Sequence, residues 1–126
     1  MGLTLAWHCL NLGASVRVID PNGIANGASG GIVGALAPHV PENWNSKKQF
    51  QLESLIYSQK FWQSVDNVSG LNSGYRRTGR LQPLMDESSV ALAKKRKEGA
   101  HELWQNFATW EIIDNSEDWK LTSPTG

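Results

Sequence analysis

Two residues near the start of the chain have the types and spacing to bind a nucleotide. Gly2 opens a helix-like run, and Asp20 follows it by eighteen positions at the tip of a strand-like run. A glycine at the mouth of a helix lets backbone amides reach a pyrophosphate. A carboxylate at about that distance can accept hydrogen bonds from the ribose hydroxyls of an adenosine half. The plainer alternative is that Asp20 only opens a turn with Pro21, Asn22 and Gly23. On this unit alone the two readings stand level, because part of a nucleotide fingerprint arises readily by chance.

A second group of residues follows directly. Residues 23–45 are nearly uncharged and carry Gly23, Gly27, Gly30, Gly31 and Gly34. So many glycines without neighbouring charge argue against a solvated linker and for backbone that lies close to something large. Ser29 lies among these glycines, and Ala35-Leu-Ala-Pro-His39 then leads into Pro41 and Trp44.

The remaining reactive groups read as structural. His8 and His101 fall on helices as packing or surface groups, and Cys9 is a small apolar filler. One cysteine and three separated histidines give no metal-ligand spacing. Ser29 sits in Ala-Ser-Gly-Gly and lacks the Gly-x-Ser-x-Gly elbow of a hydrolase. The basic run Lys94-Lys-Arg-Lys97 spreads around a helix near Glu87 and Glu98, which makes it a solvated face and not a nucleic-acid patch. Tryptophans 104, 110 and 119 are too scattered to form a stacking platform and are read as core.

The elements that would position these residues follow from the apolar pattern. Residues 3–12 are apolar nearly all round, which predicts a buried helix capped by Gly13. Residues 15–20 alternate as a strand. Ser46-Lys-Lys-Gln49 fits a capping box opening a helix to about Val65. Its stripe is Phe50, Tyr57, Phe61 and Val65, widened by Leu52, Leu55, Ile56 and Trp62. Ser69-Gly70 and Ser73-Gly74 break it. Tyr75 to Met85 has strand character interrupted by Thr78-Gly79 and Pro83. Asp86-Glu-Ser-Ser89 starts a third helix to about Ala108, with Val90, Ala93, Ala100, Leu103, Trp104 and Phe107 inward. Trp110–Ile113 reads as a short strand, and residues 114–126 as a polar tail.

The stretch from Asp20 to His39 resembles the flavin-dependent amine and amino-acid oxidoreductases of the D-amino-acid oxidase and glycine oxidase type. The matching residues are Asp20, Gly27-Ala28-Ser29 and Gly34-Ala35-Leu36, and the likeness continues through the helix from Ser46 and the segment Thr78-Gly-Arg-Leu-Gln-Pro83. The resemblance implies an α/β fold, an incomplete doubly wound, Rossmann-like FAD-binding domain over residues 1–69, with the beginning of an α+β substrate domain over 70–126. It implies FAD as cofactor, with Gly2 at the edge of the phosphate turn and Asp20 on the adenosine ribose. Gly27, Ala28 and Ser29 would lie at the ribose and phosphate region, and Gly34, Ala35 and Leu36 beside the flavin ring, with His39 at the end of that loop either facing the substrate pocket or serving as a structural or surface residue. The implied reaction is hydride transfer from the C–N carbon of a small amine or amino acid to flavin. The family's substrate-carboxylate clamp is expected beyond Gly126, so Arg76, Arg77 and Arg80 receive no role and no catalytic residue is assigned. A related flavoprotein that modifies a transfer-RNA base, and a non-catalytic remnant of the fold, remain as alternatives.

The bulk properties bound the remaining choices. The 126 residues suffice for one modest domain. Twelve basic and twelve acidic residues cancel, so no global field attracts nucleic acid or an anionic membrane. No leader-like or long apolar segment is visible, and a single cysteine suits a reducing compartment, so a cytoplasmic setting without a transmembrane segment is expected. Nothing in the spacing selects an oligomeric state. The first strand and the later strands of the full domain are expected elsewhere than in this sequence, so the chain by itself is expected to bind flavin weakly or not at all.

Overall fold

Each helix stops or starts where a residue type makes continuation costly or initiation cheap. Our computed structural model of the chain describes residues 2–32 and 34–113; the expected polar tail and Trp119 lie outside the described residues. Helix α1 is Gly2–Asn11, α2 is Ser46–Ser69 and α3 is Glu87–Leu103. A single 3-10 turn, Ala28–Gly30, lies between the first two. The chain divides into two compact units, Met1–Ala35 and Leu36–Gly126.

In the first unit, α1 ends as its glycine predicts. Gly13 takes φ +81°, its N–H donates to the Leu10 carbonyl at 2.9 Å, and the Ala14 N–H donates to the Cys9 carbonyl at 3.0 Å. That pair of bonds satisfies carbonyls the helix end would leave open. The expected burial of α1 does not hold. Only Ala6 is buried, while Leu3, Leu5, Leu10 and Leu12 are exposed, Leu12 to 86%. The expected strand over residues 15–20 is likewise absent: the segment is irregular and exposed, and no strand occurs anywhere among the described residues. A strand exists only by exchanging hydrogen bonds with a neighbour, and residues 15–20 have no such ladder. Val16, Val18 and Ile19 therefore keep the β-type sequence pattern without its pairing.

The second unit is built on α2 and α3. The cap of α2 falls one residue earlier than the Ser46 box predicts: Asn45 Oδ1 accepts from the Lys48 N–H at 3.1 Å. Asn is as good a cap as Ser, and Gln49 is then released to accept from the Trp44 indole at 3.1 Å. The helix runs past Val65 to Ser69, where Gly70 at φ +67° closes it. Asp86 caps α3 as predicted, accepting from the Ser89 N–H at 2.7 Å, and Ser89 Oγ returns to the Asp86 N–H at 3.1 Å. The helix ends at Leu103 and not at Ala108, because Gln105 and Asn106 turn left-handed at φ +52° and +58°.

Leu52, Ala100 and Trp104 form the buried cluster, with Trp44, Leu103, Phe107, Ala108 and Trp110 packed around it. The inner face of α2 is thus centred on Leu52 and Leu55, not on the expected Phe50 and Tyr57, which are exposed. The residues past α3 lie on the Leu52 side, and that decides which part of a broad apolar surface is covered. Tyr75–Met85 and Trp110–Ile113 are irregular and make no strand. They are held by side chains instead: Arg77 lies 4.0 Å over the Phe107 ring and donates to the Phe107 carbonyl, and Lys97 pairs with Glu111 at 2.6 Å.

Candidate functional site

In the first unit two side-chain hydrogen bonds join Asp20 to Asn26, the residue that precedes the Gly27 turn. Asp20 is exposed, and its Oδ1 accepts from the Asn22 N–H at 2.9 Å, which orients the carboxylate. The Asn22 carbonyl accepts from Asn26 Nδ2, and Asn26 leads into the 3-10 turn where the Gly30 N–H donates to the Gly27 carbonyl at 3.0 Å. Gly30 is fixed by space: a Cβ there would stand 2.1 Å from the Ala25 carbonyl oxygen. Gly27 and Gly34 face the opposite condition, with no heavy atom within 4 Å of where a Cβ would be. Ala28, Ser29 and Ala35 are exposed beside them. Gly2 starts α1 with open space around it. The structure therefore links Asp20 to the Gly27 turn through Asn22 and Asn26, and leaves Gly2 apart.

In the second unit Leu36 is exposed and the chain then enters a fixed path. The Gln51 side chain, from α2, donates through Nε2 to the Ala37 carbonyl at 3.2 Å and accepts the His39 N–H at 3.0 Å. The His39 carbonyl accepts from the Trp104 indole at 3.0 Å. Lys48 Nζ reaches the carbonyls of Val40, at 3.3 Å, and Glu42. Arg96 grips the Glu42 carboxylate in a fork, Nη2 to Oε1 at 2.7 Å and Nε to Oε2 at 3.3 Å. That fork holds the Glu42 carboxyl below the usual carboxylate range, and the Lys48 and Lys95 charges add to the effect. Pro41 lies so close to α3 that a Cβ on Gly99 would stand 2.9 Å from its carbonyl oxygen. His39 itself is exposed.

Of these groups, Gln51, Lys48, Gly99 and Trp104 were not singled out for this role by sequence pattern. Periodicity assigns Gln51 and Lys48 to a polar face. The one available signal was Trp104, since a buried indole N–H needs an acceptor. The unassigned arginines are partly committed: Arg77 to Phe107, and Arg80 to Gln82 Oε1 at 3.0 Å. Arg76 lines an open groove with Trp62, Asp66 and Tyr75. Among the described residues no three His, Cys, Asp or Glu side chains converge as metal ligands, and no helix is long and apolar enough to cross a membrane.

A nucleotide-type acid, a glycine turn with open faces and a second glycine segment are the parts that a flavin dinucleotide uses. The profile of the FAD-dependent oxidoreductase family matches residues 1–122, and the chain belongs to that family, whose members use FAD. The chain is also similar to the tRNA 5-methylaminomethyl-2-thiouridine biosynthesis bifunctional protein MnmC of Hydrogenovibrio crunogenus (strain DSM 25203 / XCL-2). The two are 26% identical over 121 residues, 93% of this chain and 17% of the relative. This chain thus spans about a sixth of that relative's length. No solved structure matches. Family membership carries a Rossmann-like expectation, and the helical, strand-free structure of the described residues presents part of it.

Proposed function

We propose that this chain is part of a flavin-dependent oxidoreductase that oxidises the C–N bond of a small amine or amino acid. The observation that carries the reading is one uninterrupted family match over residues 1–122, running through an exposed acid and two glycine segments with open faces. Residues 1–69 would belong to the FAD-binding domain and 70–126 to the start of the substrate domain.

The donor chemistry fits the cofactor. Asp20 would accept hydrogen bonds from the adenosine ribose, its orientation set by the Asn22 N–H. Gly27, Ala28 and Ser29 would offer backbone amides and a hydroxyl to the ribose and phosphate region, and the open space at Gly27 admits an oxygen acceptor close to the main chain. Gly34, Ala35 and Leu36 would lie along the ring system, with Gly2 at the edge of the phosphate turn. Leu36 supplies apolar surface that keeps water from a reacting carbon, and His39 would face the substrate. When bound, the flavin supplies the electron sink that accepts a hydride from the C–N carbon; the protein supplies orientation and electrostatics.

A second reading has its own support. The MnmC relative is named for biosynthesis of a methylaminomethyl group on transfer RNA, so the amine could be carried on an RNA base instead of being free. The reaction class is the same in both. Mixing the protein with FAD under anaerobic conditions, then adding either a panel of small amines and amino acids or hypomodified transfer RNA, separates them. Loss of the oxidised flavin absorbance with the small molecules supports the first reading, and loss only with transfer RNA supports the second. No loss with any amine, in protein shown by a shifted visible band to have bound FAD, would overturn the C–N chemistry.

A further inference from the structure

Exposed loop backbone ordinarily bonds to water, yet His39 has both of its main-chain groups held by side chains from two different elements. Its N–H is held by Gln51 of α2 and its carbonyl by Trp104 just past α3, each at 3.0 Å. The Gln51 amide also reaches the Ala37 carbonyl at 3.2 Å, so one side chain bonds the carbonyl before Pro38 and the N–H after it. A residue of a neighbouring parallel strand makes that same pair of bonds to a chain beside it. Gln51 therefore replaces a sheet partner at a point where the described residues contain none. Pro38, in the middle, has no N–H to leave unsatisfied.

The segment is fixed further along as well. Lys48 holds the Val40 carbonyl, Arg96 holds the Glu42 carboxylate, and Pro41 rests on Gly99. All of these bonds constrain backbone or the far end of the loop. None of them covers the His39 side chain, which stays exposed, or Leu36, which is 57% exposed. A segment required only to tie α2 to α3 could bury its side chains between them. This one is held along its main chain, with Ala37, Pro38 and Val40 half-buried and Pro41 buried, and leaves Leu36 and His39 open, which is an arrangement that can present those two groups to a ligand.

We propose that Gln51, together with the Trp104 indole, is a positioning residue that presets the Leu36–His39 segment for contact with flavin and substrate. This rests on the flavin reading above. A preset loop binds without first being ordered, so loosening it lowers apparent affinity by the fraction of time it is correctly shaped.

The test uses the whole chain and FAD itself as probe, with Gln51→Met, which keeps length and removes both hydrogen bonds, and Gln51→Glu, which keeps the acceptor for His39 but not the donor for Ala37. Amide NMR follows the fold, hydrogen exchange and FAD-induced shifts, and the visible flavin band follows the ring environment. Expected for Gln51→Met are unchanged exchange in the interiors of α2 and α3, faster exchange at the His39 amide, an FAD affinity about tenfold weaker, and a flavin band moved towards that of free FAD. Gln51→Glu should fall between Gln51→Met and the parent. FAD shifts at Asp20 and Gly27–Ser29 with the same affinity and band in all three proteins would overturn the positioning role and leave the flavin reading intact. Weak binding is expected of this chain by itself, so FAD is raised to the limit of its solubility; no FAD-induced shift anywhere in the unaltered chain under that condition would overturn the assignment of flavin contacts to these residues and the positioning role with it. If Gln51→Met loses the dispersed spectrum of the folded unit, Gln51→Glu decides alone: parent-like affinity and band in a folded Gln51→Glu overturn the role, and weakened affinity sustains it.

Discussion

At Gly99 two effects of one missing methyl group act in opposite directions. Replacing a helix-interior glycine by alanine ordinarily gains about 1 kcal/mol of helix propensity. Here the new Cβ would stand 2.9 Å from the Pro41 carbonyl oxygen, a backbone atom that cannot rotate away. Overpacking of that kind costs typically about 1–3 kcal/mol, so Gly99→Ala is expected to lower stability by up to about 2 kcal/mol. Thermal unfolding of the two proteins side by side checks this, and a higher melting temperature for Gly99→Ala would show that the contact is slack. Leu52 has no exposed surface at all, and Leu52→Ala should cost roughly 2–5 kcal/mol. In a core of so few residues that change is expected to abolish the cooperative melt of the second unit.

At the scale of the helices, capping and ion pairing set a direction for pH dependence. The Ser89 N–H and the hydroxyls of Ser88 and Ser89 hold Asp86 below its ordinary range, and the Arg96 fork does the same for Glu42. Both carboxylates bind protons less readily folded than unfolded. Their contribution is fully present above the unfolded carboxylate values and is lost as pH falls through the lowered folded ones. Urea midpoints measured from neutral pH down through the carboxylate range should therefore fall, and Asp86→Asn with Glu42→Gln together should flatten that fall. Some helix boundaries were readable because their causes are local, although the Asn45 cap of α2 and the end of α3 at Leu103 were not. Gly13, Gly70 and Asp86 act within a few positions of themselves. Strands were not readable in this way, since the Val16–Ile19 pattern states only what a strand would bury and not whether a neighbour is present to pair with it. Gln51 was hidden for a related reason: its partners lie twelve and fourteen residues away, and no periodicity reports a bond across that distance.

For the molecule as a whole, the two compact units differ in how their backbone is satisfied. Residues 15–20 are irregular, exposed and without a ladder, whereas the helices of the second unit enclose Leu52, Ala100 and Trp104. Hydrogen exchange should then be fast at every amide from Ser15 to Asp20 and slow in the interiors of α2 and α3. Protection at Val16 or Val18 comparable to that at Leu52 would mean that those amides are paired after all. The family was legible in the likeness of the Asp20–His39 stretch to known flavoproteins, while the ribose contact of Asp20 stands as a proposal. The loop that carries His39 was legible as a loop, but what holds it still came only from structure.

The leucines left uncovered on α1 and just past its end have a practical consequence for handling the protein. Leu5 and Leu12 are 67% and 86% exposed, and the Val16–Ile19 stretch adds apolar surface in the same unit. Charge repulsion does not offset that stickiness near neutrality, because the formal net charge is zero and the isoelectric point is about 6.8. Colloidal stability is poorest where net charge vanishes. Light scattering across buffers should show association greatest close to pH 7 and declining in mildly alkaline solution, which makes the alkaline side the place to purify and store this protein.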